Sequence, residues 1–143
     1  MILYNELLAI CKEAGVSVRH QKKDDDGCYL PDERKIYIDS DLRGTMEGLY
    51  ILVHEIGHAI DHARGDHVQF FLFAGKLHFD RANWLMVRRA EISASRQGIK
   101  LLKRLGIKFY PKRLTNSVLD IAINPRTKTS KTLFENWKRD YFF

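Results

Sequence analysis

The spacing of apolar residues along the chain switches between helical and strand-like periods, and those switches mark out its elements. The opening run Ile2-Leu3-Tyr4-Asn5-Glu6-Leu7-Leu8 is apolar but broken by Asn5 and Glu6. It predicts an amphipathic helix over residues 2–14, ended by a left-handed cap at Gly15. Val16-Ser17-Val18 alternates as a strand does. A polar, acidic loop over residues 21–27 follows, and its three adjacent aspartates lack the ligand spacing of a calcium loop. Cys28-Tyr29-Leu30 and Lys35-Ile36-Tyr37-Ile38 then flank the turn Pro31-Asp32-Glu33-Arg34 and read as a hairpin.

From there the period becomes helical. Leu49, Leu52, Val53, Ile56, Ile60 and Ala63 recur at steps of three and four, forming a stripe that must face a core. The helix that carries them begins near Asp41 or Thr45, either of which can cap its first N–H groups. It runs to about Arg64 and stops at Gly65. Residues 66–79 are rich in aromatics and read as a packed connector with no assigned element. Asp80 caps a second long helix that reaches Leu105 and ends at Gly106. A short helix over about 112–122, a polar loop over 124–130 and a final helix from Thr132 to Tyr141 complete the expectation.

Together these elements predict an α+β fold: a small N-terminal sheet packed on one central helix, followed by further helices. At 143 residues the chain fits one domain (1–143), with a core over about 27–105 and a basic helical part over 106–143. No stretch approaches the length of a membrane span, and the N-terminus has no basic leader, so a cytoplasmic location is expected. Cys11 and Cys28 belong to no Cys-x-x-Cys pair and read as reduced thiols.

Charge changes the picture in one respect. Residues 1–80 carry 9 Lys and Arg against 14 Asp and Glu, net −5, whereas residues 81–143 carry 15 against 4, net +11. Such asymmetry suits an acidic partner or nucleic acid. Solvated basic faces on the late helices are the preferred explanation, because no aromatic-interleaved basic stripe or base-reading motif accompanies the charge.

The central helix also carries the chemistry. His54-Glu55-Ile56-Gly57-His58 places two histidines four residues apart, on one side of the helix and close enough to share a metal ion. They fall nearly opposite the apolar stripe, yet between apolar neighbours, as on the floor of a cleft. Glu55 lies about 100° further round, beside the ion and not on it, where a carboxylate can accept a proton from water.

A catalytic zinc site needs a third protein ligand. Glycine at 61 and histidine at 64 would make a metzincin; Asp61 and Arg64 stand there instead, which excludes that class. Glu91 is the better choice. It sits in the apolar stripe Trp84, Val87, Glu91, Ala94, Gly98, Leu101 and Leu105, where an unpaired carboxylate is costly. Small Ala94 and Gly98 would let this helix approach the first closely. A salt bridge from Glu91 to Arg88 or Arg64 is the plainer alternative. His67 is the competing ligand; Asp61 and His62 suit supporting positions, and His20 and His78 read as structural.

With these residues in place, the chain resembles the compact gluzincin-type metallopeptidases, closest to the ImmA/IrrE-like domain. The matching features are the hairpin ending Lys35-Ile36-Tyr37-Ile38, the motif His54 to His58, and Glu91-Ile92-Ser93-Ala94, together spanning about residues 27–105. The resemblance implies a minimal zincin-like fold, Zn2+ bound by His54, His58 and Glu91, and Glu55 as general base. It also implies an edge strand, here 35–38, along which an extended peptide pairs beside the metal. No helix-turn-helix segment accompanies these features, so no transcription-factor substrate is implied.

The expected activity is therefore zinc-dependent hydrolysis of peptide bonds in a protein or peptide substrate, with Tyr110 or His62 as the added oxyanion donor. A second resemblance is to the SprT-like proteases, which act on DNA-bound protein; His67 and the basic second half favour it. A different class of function is a non-catalytic binding module in which zinc only holds helices together.

Overall fold

The computed structural model of the protein describes residues 2–22, 26–73 and 84–107. They form an N-terminal helix α1 (Ile2–Glu13), strands β1 (Ser17–Gln21), β2 (Gly27–Leu30) and β3 (Lys35–Asp39), and helices α2 (Met46–Arg64), α3 (Val68–Leu72) and α4 (Trp84–Arg104). The fold class is α+β, with a three-stranded mixed sheet and helices packed on it and on one another.

Each boundary has a local cause. Gly15, just past α1, takes a left-handed conformation with φ 75°. Thr45 caps α2: its Oγ1 accepts the Gly48 N–H at 3.0 Å. Asp41, the other expected cap, lies in a 3-10 turn over Ser40–Leu42 that links β3 to α2. Gly65 ends α2 in the left-handed region, its N–H returning to the Asp61 and His62 carbonyls. The first strand begins one residue later than its apolar alternation suggests and continues to Gln21, while Val16 is buried ahead of it.

Strand order is β1-β3-β2, with β1 parallel and β2 antiparallel to β3. This corrects the expectation that residues 35–38 form an edge. The hairpin occupies one side of β3, and β1 pairs along the other, from Ser17 opposite Lys35 to Gln21 opposite Asp39. Ile36 and Ile38 are accordingly sealed in the core. Among the described residues, β1 and β2 are the edges of the sheet.

The register shows which backbone groups β2 presents outward. The Asp39 N–H donates to the Asp26 carbonyl at 2.9 Å, and bonding alternates along an antiparallel pair. Cys28 and Leu30 are thus turned toward β3, while the polar backbone groups of Gly27 and Tyr29 face the free edge.

α2 lies between layers, with β2 and β3 on one side and α4 on the other. Residues 52–59 are all buried, so the side opposite its apolar stripe is covered as well. The two helices touch backbone to backbone. A Cβ on Gly98 would lie 2.9 Å from the Val53 carbonyl oxygen, and one on Gly57 would lie 1.9 Å from that of Ala94. Residue 53 meeting 98 while 57 meets 94 makes the helices antiparallel.

Among the described residues, no helix is long and apolar enough to cross a membrane. The expected cap Asp80, the helices over 112–122 and 132–141, His78 and Tyr110 lie outside the described residues.

Candidate metal centre

The close contact of α2 with α4 brings three ionisable side chains together. Glu91 Oε2 lies 2.7 Å from His54 Nε2, and Oε1 lies 3.2 Å from His58 Nε2. One metal-ligating atom from each of the three falls within 4.8 Å of the others. Among the described residues, this group of two histidines and one glutamate is the one that could hold a metal ion.

Dimensions and chemistry both suit an ion. Ligands bound at roughly 2.0–2.2 Å stand no more than about 4.4 Å apart, so the group is within a few tenths of an ångström of that size. Two imidazoles and a carboxylate are a zinc-type donor set with a fourth position left over. Hydrogen bonds and charge also link the three side chains. A carboxylate only accepts, so each Nε2 carries the hydrogen that faces Glu91. Burial by itself pulls the His58 pKa down, but the charge and hydrogen bond of Glu91 outweigh it and hold the imidazolium up to about 9. Burial pushes Glu91 the other way, yet His58 and His54 keep its carboxyl far below the usual carboxylate range.

His54 is held at its second nitrogen too. Its Nδ1 is 2.9 Å from the buried Ser95 hydroxyl, one helical turn beyond Glu91. A hydroxyl both donates and accepts, so His54 can move its proton from Nε2 to Nδ1 without losing this partner. Sequence reasoning missed Ser95, although its i+4 relation to Glu91 on α4 was a usable signal.

Glu55 is buried and close enough to feel the charges of His58, His54 and Glu91. Burial raises its pKa; His58 and His54 oppose that, the Glu91 charge adds to it, and a hydrogen bond from the Tyr29 backbone opposes it again. The outward N–H of edge strand β2 therefore anchors this carboxylate.

An aromatic wall, unassigned from sequence, completes the site. Phe70 of α3 stacks on the His58 ring with centroids 5.3 Å apart and planes 19° from parallel. Phe71 meets both His58 and His62. The His62 Nδ1 lies 2.8 Å from the Tyr29 hydroxyl. His67 precedes α3 in a left-handed conformation, φ 54°, and is not part of the metal-ligating group. His20 pairs with Tyr4 at 2.7 Å.

The salt-bridge alternatives resolve in different ways. Arg64 pairs with Asp66 at 3.3 Å, away from the site. Arg88 is buried one turn before Glu91; burial lowers its pKa to about 10 while the Glu91 charge opposes this, so it remains cationic at neutral pH. The Glu91 oxygens themselves face the two imidazoles.

Comparison with family models, with curated proteins and with solved structures gives no match.

Proposed function

We propose that the protein is a zinc-dependent metalloendopeptidase of the compact gluzincin kind. The observation that carries this reading is the convergence of His54, His58 and Glu91 from two helices, with Glu55 buried beside them. His54 Nε2, His58 Nε2 and the Glu91 carboxylate would hold the ion. Zinc bound there supplies a Lewis acid that acidifies water and polarises a scissile carbonyl.

The remaining work falls to the chain. Glu55, oriented by the Tyr29 N–H, accepts a proton from water as the water oxygen bonds to the carbonyl carbon. When the carbon–nitrogen bond breaks, the same carboxyl returns that proton to the amine. Phe70 and Phe71 exclude bulk water from the His58 side. Since the Tyr29 backbone of β2 reaches Glu55 and β3 is the central strand, an extended substrate would pair along the outer edge of β2.

One observation favours a second reading, a metal that only ties α2 to α4. Both histidines are buried and Phe70 covers His58, whereas a catalytic ion needs an open position. Among the described residues His67, the ligand that would favour the SprT-like reading, stands outside the metal-ligating group. Metal analysis combined with cleavage of an unfolded protein such as casein, for the wild type and Glu55→Gln, separates the readings. Stoichiometric zinc with cleavage abolished by Glu55→Gln supports the peptidase. Stoichiometric zinc with no cleavage by either protein supports the structural metal.

A further inference from the structure

The two histidines of the metal-ligating group are served unequally. His54 Nδ1 has the Ser95 hydroxyl, but His58 Nδ1 is buried with no hydrogen-bond partner among the described residues. One turn further along α2 is Asp61, a carboxylate 0% exposed to solvent. Its Oδ1 accepts from the buried Gln97 amide of α4 at 3.1 Å. Its Oδ2 is the second buried atom on this helix with no partner among the described residues.

The two atoms are chemically complementary. Residues three apart share a helix face. A carboxylate oxygen only accepts, and Nδ1 becomes the donor once Nε2 turns its lone pair to a metal. One hydrogen bond, direct or through a single water, would satisfy both. A purely structural role would not require the charge, because an asparagine oxygen would accept from Gln97 equally well. A buried carboxylate needs a positive neighbour. His58, three residues back on the same helix, offers that neighbour.

We propose that Asp61, braced by Gln97, is the positioning residue that orients the His58 imidazole toward the metal. This rests on the metal reading given above. The carboxylate holds the hydrogen on Nδ1 and leaves Nε2 free to coordinate; supports of this kind orient a ligand and raise its basicity. The helix-to-helix link through Gln97 also ties this orientation to the approach of α4, which brings Glu91.

The test compares the full-length wild type with Asp61→Asn and Gln97→Met. Zn2+ affinity is measured by chelator competition, and the ligand field is read from the absorption spectrum of the Co2+ form. Asp61→Asn is expected to weaken Zn2+ binding by about 10–100-fold and to shift the Co2+ bands. Gln97→Met should move both in the same direction by less. A wild type that takes up neither ion overturns the site itself and this inference with it. A wild type that binds, beside an Asp61→Asn protein with unchanged affinity and spectrum, overturns the positioning role alone. Should Asp61→Asn fail to fold, Gln97→Met decides, and unchanged values there overturn it equally.

Discussion

Gly57 of α2 faces the Ala94 carbonyl of α4 so closely that a Cβ at residue 57 would come within 1.9 Å of the oxygen. The next turn of α2 on one side carries His54, and the following residue is His58. Glu91 lies one turn before Ala94. The absence of a side chain at residue 57 is therefore what lets a carboxylate of one helix reach the imidazoles of the other. Gly57→Ala cannot be absorbed by a side-chain rotation, because the obstacle is backbone. Overpacking costs about 1–3 kcal/mol and occasionally more; this substitution is expected at or above the upper end, read as a lower midpoint in urea. It should also weaken metal uptake, since the helices must move apart.

Glu55→Gln keeps the shape and removes the proton acceptor. Metal content should match the wild type, while peptide hydrolysis falls by about 10²–10⁴-fold. Retained cleavage at the wild-type rate would remove Glu55 from the mechanism.

His58→Ala takes one of the three ligand side chains away. Stoichiometric zinc should be lost on dialysis, measured by elemental analysis. Dialysis of the wild type against a chelator should abolish cleavage, and restored zinc should return it.

Ser95→Ala tests the support of the other imidazole. Removing the hydroxyl leaves His54 Nδ1 buried without its 2.9 Å partner. Zinc affinity is expected to fall by about tenfold, with Glu91 and both histidines untouched. An unchanged dissociation constant would show that the hydroxyl contributes nothing to the ligand.

Cys11 offers a check on the core through pH. Burial pushes its pKa from 9.0 up to about 12, with a backbone hydrogen bond opposing the rise only in part. The native state thus disfavours the thiolate. Stability from this thiol is complete below pH 9, its ordinary value, and is lost as pH climbs toward 12. Iodoacetamide at pH 8–9 should leave Cys11 unmodified in the folded protein and alkylate it once denaturant is added. Modification at equal rates in both states would contradict its burial.

Much of the candidate site was legible because its information is local. Four-residue spacing puts His54 and His58 on one side of a helix whatever surrounds it, and a carboxylate in an otherwise apolar stripe singles out Glu91. Thr45, Gly65 and the turn at 31–34 punctuate the chain through backbone preferences that hold before any packing occurs.

Sequence by itself settled the α+β class, the hairpin, both long helices and the choice of His54, Glu55, His58 and Glu91 as residues to watch. Tertiary structure alone decided that β3 is the central strand, because pairing of β1 depends on a contact between segments nearly twenty residues apart. It alone decided that His54 takes Ser95, that Asp61 takes Gln97 and that Phe70 covers His58. Those partners lie on different elements, and their distances follow from how two helices cross, which no short-range period encodes.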